Sequence, residues 1–345
     1  MRGRSLLALL SIVAAGAALA GCSSGSSAPG TTAGSPAASP SAGGSPAGSA
    51  DPATGDHVAI TIGVSPSTAS AAAYLAQQKD FADQGLDVTM ATIQSGAEAI
   101  PRLLNGELAF ALGDAAGTIT AASNGVGIAA TGVATVSPSD PAKDYSSIVA
   151  SNPDLKGPAD LAGHTVAVNQ LNGIAELTAK AAIDKQGGDS STVQFVELPF
   201  PQMNDAVTAG RVDAALVVEP FLSAAKAAGM HVVLAPQAYA VAGLPSTIFV
   251  ASQAYANQNP DVVARFNKAM GQAAARANAD PAAARQIAGT YTQIPAATLN
   301  AITLPIYAEN AGEVQGLRQL LDLMNKYSVL EQQPDMDTLL AGAGS

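Results

Sequence analysis

The chain has 345 residues, 27 of them Asp or Glu against 16 Lys or Arg, for a formal net charge of −11 with only 12% charged residues. No basic stripe is left to neutralise phosphates, which excludes nucleic acid as a partner, and the lack of Trp with only 4% aromatics excludes a stacking platform for single strands. A single cysteine excludes an internal disulfide.

Residues 1–21 carry Arg2 and Arg4, an apolar run over 6–20 and small residues before Cys22. This is the pattern of a signal peptide, and the run is short for a membrane span, which needs ~20 residues. Leu19-Ala20-Gly21-Cys22 resembles the bacterial lipobox, so Cys22 is expected to be lipidated. Across the rest of 22–55 no side chain is larger than Thr, Pro or Asp. Such a segment cannot bury enough apolar surface to offset its ordering entropy, so a disordered Gly/Ser/Ala/Pro tether is expected. The pair would hold a folded domain near a membrane without embedding it.

From residue 56 the pattern changes to short apolar runs alternating with Ala-rich helices. Residues 58–64 alternate Ile60, Ile62 and Val64 and end at Ser65-Pro66-Ser67-Thr68. A helix over 69–84 stops at Gly85, where a left-handed exit is expected. A strand over 87–93 leads through Gln94-Ser95-Gly96 to a helix over 97–105, and a strand over 108–112 leads through Gly113-Asp114 to a helix ending at Asn124. The apolar run 126–136 is long enough to pass through two lobes as the first crossover.

Residues 158–221 repeat the unit. The β-branched run 164–168 stops at Asn169-Gln170-Leu171-Asn172-Gly173, and a helix continues to Gln186 before Gly187-Gly188. The strand 193–198 passes to a helix opened by Phe200-Pro201 and closed by Gly210, and the strand 212–218 ends at Glu219-Pro220. Repeated strand-to-helix crossovers imply parallel strands with helices on both faces, and ligands of such sheets collect where strands end and helices begin. After 231–235, the run Ser246-Thr-Ile-Phe-Val-Ala251 is a strand in which the chain returns to the first lobe. Val262, Val263, Phe266 and Met270, and later Val314, Leu317, Leu320, Leu321 and Met324, fall at helical spacing as core stripes. The expected architecture is α/β, two lobes with mixed, mainly parallel sheets joined by a two-crossover hinge. The first lobe takes 56–136 and 241–345, and the second takes 137–240.

No catalytic constellation assembles from the sequence. His57, His164 and His231 each stand at the start of an apolar run, where an exposed edge role is expected. There is no His-Glu-x-x-His, no Cys pair and no Gly-x-Ser-x-Gly elbow. Gly125-Val126-Gly127 precedes its strand and lacks a third glycine, so it is not a dinucleotide loop. Asp114 and Glu219 could form a carboxylate pair, and acid–base work would require one of them to be desolvated.

Five phrases in order, Phe81-Ala-Asp-Gln-Gly-Leu-Asp-Val88, Ser95-Gly-Ala-Glu-Ala99, Asp160-Leu-Ala-Gly163, Ala209-Gly-Arg-Val-Asp-Ala214 and Val218-Glu-Pro-Phe221, together resemble the solute-binding proteins of ABC importers. The branch is the one that serves sulfonates, taurine, nitrate and the thiamine pyrimidine. The likeness covers most of residues 57–330, and His164 departs from it where lysine is frequent. It implies a type II periplasmic-binding fold, no cofactor, a small-molecule ligand held between lobes, and delivery by a lipid-anchored monomer to a membrane permease. It also implies that Ser67, Thr68, Ser95, Gly96, Asp114, Asn169, Asn172 and Glu219 face the cleft. Same-fold enzymes of pyrimidine or menaquinone biosynthesis are the alternative from another class, against which the lipobox and tether count. A ligand-sensing lipoprotein would use the same cleft. The cleft loops carry no Arg or Lys, so an anion would rest on backbone N–H groups and hydroxyls, while Asp114 and Glu219 favour a ligand with N–H donors.

Overall fold

The computed structural model describes residues 57–94 and 96–343. The expected signal peptide and tether, Cys22 and Ser95 lie outside the described residues.

Among the described residues, eleven strands form two mixed sheets. The first, in the order β11-β4-β10-β3-β1-β2, contains β1 (Val58–Val64), β2 (Leu86–Thr92), β3 (Phe110–Asp114), β4 (Ile128–Val136), β10 (Pro245–Ser252) and β11 (Ile306–Tyr307). The second, β7-β6-β8-β5-β9, contains β5 (Ser146–Ala150), β6 (Thr165–Val168), β7 (Gln194–Glu197), β8 (Ala214–Val218) and β9 (His231–Leu234). The chain passes from the first sheet to the second between β4 and β5, and back between β9 and β10. The fold is the two-lobe, two-crossover α/β architecture.

The parallel ladders, β1 with β2 and β3, and β6 with β7 and β8, are those of the strand–helix–strand units. The other five ladders are antiparallel, and every one contains β4, β5 or β10, strands that flank the crossings. A strand on which the chain leaves or enters a sheet runs against its neighbours, which is why antiparallel pairing is so prominent here.

One expected element divides. The run 126–136 does not continue through both lobes: β4 ends at Val136, and the second sheet opens separately at β5. Between them stand Pro138 and Pro141, the latter in the 3-10 turn Pro141–Lys143, and proline cannot donate to a ladder. The helix expected over 69–84 also breaks, into Ala71–Gln78 and Asp80–Asp83. The chain then leaves through Gly85 at φ 67, the left-handed exit that glycine adopts without steric cost.

Each sheet is covered on both faces. One face of the first lies under the helices Ala71–Gln78 and Pro260–Ala279, in a cluster with Phe81, Phe110, Phe249, Phe266 and Tyr307. The other lies under Gly96–Leu104, Ala115–Ser123 and Leu317–Lys326, with Leu103, Ile119, Leu320 and Met324. The second sheet has Leu161, Val166, Ala182 and Leu216 on one face and Met203, Val207, Val217 and Leu222 on the other. Val262, Val263, Phe266 and Met270 are all buried, as their spacing required.

Phe266 fastens the long C-terminal helix to the first sheet, with its ring stacked 4.1 Å from Phe110 and edge-on to Phe249 at 5.0 Å. It is fully buried, so Phe266→Ala should cost about 3–5 kcal/mol in urea unfolding. A loss under about 1 kcal/mol would mean that the helix is held elsewhere.

Candidate functional site

In the first lobe, β1 ends at Val64 and the chain turns into the 3-10 segment Thr68–Ser70. The turn is closed by Ser70 Oγ donating to the Ser65 carbonyl at 2.7 Å, with the Ser65 and Ser67 hydroxyls 2.9 Å apart. Two tyrosines from far along the chain then tie it down. Tyr291 donates its hydroxyl to Ser67 O at 3.0 Å, and Tyr307 donates to Thr68 O at 2.8 Å. The Tyr291 ring stacks on Tyr74 at 3.8 Å. Burial raises both the Tyr291 and Tyr307 phenols well above the ordinary range, so they remain neutral donors.

Gly96 opens its helix beside the end of β3, where an added Cβ would stand 3.8 Å from Gly113 Cα. Asp114 ends β3 and caps the helix Ala115–Ser123, accepting from Gly117 N at 2.7 Å. Water still reaches part of this residue, but packed atoms enclose its carboxyl. That desolvation pushes the group up to about 6, against the opposing pull of the Gly117, Ile174 and Ala116 N–H groups. Ile174 begins a helix of the second lobe, so Asp114 already faces across the gap.

In the second lobe, Glu219 follows β8 and is buried. Its Oε2 accepts from Ser223 N at 2.9 Å, and its Oε1 accepts from Ser223 Oγ at 3.0 Å and from Thr303 N at 3.3 Å. Thr303 stands three residues before β11 of the first sheet. The Glu219 N–H donates to Tyr145 O at 2.9 Å. Tyr145 lies in the first crossing, and burial, with the negative charges of Asp144 and Asp114, pushes its phenol up to about 12 despite hydrogen bonds with Gln237 and Thr135. The Thr135 hydroxyl is 2.6 Å from that of Thr247, which pairs with Asp114 in the sheet, and Tyr307 pairs with Thr135. Thr68, Asp114 and Glu219 therefore belong to one connected network spanning both lobes, with Ser67 and Gly96 at its edges.

The Asn residues stand apart from it. Asn172 is exposed in left-handed backbone at φ 59, where its N–H donates to Glu176 Oε2 at 2.7 Å. It lines a surface depression of about 290 Å³ with Leu171, Glu176, Lys180 and Phe195, all of the second lobe. Asn169 is half-buried and makes no side-chain hydrogen bond among the described residues.

Sequence reasoning missed Tyr145, Tyr291, Thr303 and Tyr307, and also Arg285. The Arg285 guanidinium donates from Nη2 to Ile302 O at 3.0 Å, while its buried Nε has no partner among the described residues. Tyr307 contacts Thr68 from 239 positions away, a distance that no local pattern encodes. Of the histidines, His57 is exposed and His164 and His231 are half-buried, and only His231 begins an edge strand, β9. His57 Nδ1 lies 2.9 Å from Asp87 and His164 Nδ1 3.3 Å from Asp213, while the His231 ring bonds Leu155 O at 2.7 Å.

A family model described as NMT1/THI5 like matches residues 67–284. The chain belongs to the NMT1/THI5-like family. No curated protein matches it. Among solved structures, the periplasmic aliphatic sulphonate binding protein SsuA from Escherichia coli is 19% identical with a TM-score of 0.68, over 82% of this chain and 97% of that one. The alkanesulfonate-binding protein SsuA from Xanthomonas axonopodis pv. citri, bound to MOPS, is 20% identical with a TM-score of 0.67, over 85% and 99%. The ligand binding component of an ABC-type import system from Staphylococcus aureus, with zinc bound, is 13% identical with a TM-score of 0.70, over 82% and 96%. At these identities the likeness shows the periplasmic-binding fold. Among the described residues of this NMT1/THI5-like chain, no three His, Cys, Asp or Glu side chains gather as metal ligands would.

Folding raises the Asp114 pKa from 3.8 to about 6, so the stability it contributes grows as pH falls through 6 and is lost as pH rises through it. From pH 7 to pH 5 the wild type should gain about 1 kcal/mol over Asp114→Asn, which keeps the helix cap, in urea unfolding at each pH. Parallel responses of the two proteins would show that the carboxyl is solvated.

Proposed function

We propose that the protein is an extracytoplasmic solute-binding lipoprotein that captures a small polar molecule between its lobes and delivers it to the permease of an ABC importer. The observation that carries this reading is the network in which Thr68 and Asp114 of one lobe and Glu219 of the other meet through Tyr307, Thr135, Thr247 and Tyr145. Polar groups from strand ends of two sheets converge where the chain crosses twice, the usual place for a ligand in such folds. The fold is shared with binding proteins of importers. The lobes are assigned to 56–136 with 241–345, and to 137–240. Ser67, Thr68, Ser95, Gly96, Asp114, Asn169, Asn172 and Glu219 are assigned to the cleft, and the protein is taken as a monomer that is not an enzyme.

On Glu219, three of about four acceptor positions are filled from within the chain, leaving one at Oε2 for a ligand N–H. An N–H-bearing solute such as an aminopyrimidine fits that vacancy. Arg285 favours a second reading, an alkanesulfonate, because its guanidinium lies beside the Ile302–Thr303 peptide with no carboxylate within 4.0 Å among the described residues. Sulfonates are what two of the similar structures are named for binding.

A thermal-shift panel of alkanesulfonates, nitrate and aminopyrimidines separates the two. A true ligand at a hundredfold excess over its Kd adds about 2.7 kcal/mol of stability and raises the melting temperature. Stabilisation by the pyrimidines supports the first reading and by sulfonates alone the second, while titration calorimetry that finds no solute binding would count against the function itself.

The anchor is assigned to Cys22, which follows Leu19-Ala20-Gly21. No helix among the described residues is long and apolar enough to cross a membrane. Cys22→Ala should abolish incorporation of radiolabelled palmitate and move the protein from the membrane to the soluble fraction. Retention of label by the variant would remove the lipid from this residue.

A further inference from the structure

An asparagine followed by glycine is prone to lose its side-chain amide without any enzyme, because glycine has no side chain to keep its own nitrogen away from the neighbouring carbonyl carbon. The chain has three such pairs, Asn105-Gly106, Asn124-Gly125 and Asn172-Gly173. All three asparagines are exposed, so access of water does not separate them. The state of the glycine nitrogen, which is the nucleophile of the reaction, does.

At the first two pairs the glycine closes a helix. Gly106 N donates to Leu103 O at 3.2 Å and Gly125 N to Ala122 O at 2.9 Å, and both glycines take left-handed backbone, at φ 79 and φ 77. A nitrogen whose proton is held by a carbonyl must break that bond before it can attack. Asn105 is held further, with its Oδ1 accepting from Glu107 N at 3.0 Å.

The third pair opens a helix instead. Gly173 stands just before Ile174–Lys185 at φ −85, and although the residue is buried its N–H has no acceptor among the described residues. A buried N–H without a partner is a group of raised energy, which favours excursions that release it. Asn172 adds to this, since left-handed backbone at φ 59 is costly for a residue with a side chain. Both members of the pair thus start from a raised level, whereas the other two glycine nitrogens are bonded.

We propose that Asn172 is the site at which the folded protein deamidates. Gly173 N gives its proton to water and bonds to Asn172 Cγ, the Cγ–Nδ2 bond breaks, and Nδ2 takes a proton and leaves as ammonia. Water then opens the cyclic imide. Addition at Cγ restores the main chain with an aspartate, and addition at the main-chain carbonyl carbon leaves an isoaspartate whose peptide link runs through the side chain. The new carboxylate forms near Glu176, which already accepts from Asn172 N at 2.7 Å, in the depression lined by Lys180. Isoaspartate also inserts a carbon into the main chain just before Gly173, whose carbonyl accepts the first helical bond, from Leu177 N at 3.1 Å. The start of that helix is where the change acts, whatever solute the protein carries.

Ageing the full, folded chain in mildly alkaline buffer tests it, with peptide mapping by mass and labelling by isoaspartyl methyltransferase. Conversion at Asn172 should outrun that at Asn105 and at Asn124 by about tenfold, the factor for one backbone hydrogen bond that must open at each of the others. The same chain in guanidinium chloride is the reference, in which the three pairs should convert at comparable rates. Asn172→Ser should remove most of the methyltransferase label from the folded chain, and Asn124→Ser should leave it. Conversion at Asn172 no faster than at Asn105 or Asn124, or none while the denatured chain converts, overturns the proposal.

Discussion

A carboxylate drawn away from water needs hydrogen-bond donors, and this structure supplies them to Asp114 and Glu219 by the same device in two places. Each residue stands at the end of a strand that belongs to a parallel ladder, β3 beside β1 and β8 beside β6. Each bonds the first turn of the helix that follows, Asp114 through Gly117 N and Glu219 through Ser223 N. Each also faces a backbone N–H of the opposite lobe, Ile174 for Asp114 and Thr303 for Glu219. The positive end of a helix and a neighbouring lobe's amide are fixed donors that need no basic side chain. Each of these carboxylates thus links its own helix start to a backbone N–H of the other lobe.

The remainder of the site is built of neutral groups, in keeping with a chain in which only 12% of residues are charged. Tyr291 and Tyr307 hold the Ser67–Thr68 turn through its carbonyls, and Tyr145 lies between Thr135 of one lobe and Gln237 of the other. Gln237 in turn accepts from Ser246 at 2.9 Å, at the start of the returning strand. Buried phenols with raised pKa keep their protons, so the donor pattern does not change over the physiological pH range. The polarity of the gap is therefore set by hydroxyl geometry, with Asp114 as the group able to respond to mild acid.

Much of this was legible in the sequence because the strand–helix units are local. The runs at 58–64, 164–168 and 246–251 and the stops at Gly85 and Gly210 follow from side-chain alternation and backbone freedom within a few residues. The turns Ser67-Thr68, Gly113-Asp114 and Glu219-Pro220 were marked because polar residues at strand ends have few other places to go. What escaped was non-local. β11 has two residues, too short for any periodicity, yet it places Tyr307 beside Thr135 and within reach of Thr68. Arg285 sits on the helix Pro281–Tyr291, whose apolar positions gave no sign that this side chain would reach Ile302. The loop Asn169–Asn172 follows from the same reasoning as the others, and at Asn172, in left-handed backbone, the main-chain N–H donates to Glu176 Oε2.

A desolvated carboxylate with a pKa near neutrality is also what a general base looks like, so Asp114 bears on the enzymatic alternative. Desolvation alone does not make a base. A base must present a free lone pair to the proton it removes, whereas Asp114 Oδ1 is bonded to Gly117 N at 2.7 Å and the carboxyl is further held by the Ile174 and Ala116 amides. Its partner across the gap, Glu219, has both oxygens bonded to Ser223 and one also to Thr303. Both carboxylates are thus held in place by donors of the chain itself. Of these bonds, the one from Thr303 N to Glu219 Oε1 joins the two lobes, while those from Gly117, Ala116 and Ser223 lie within one.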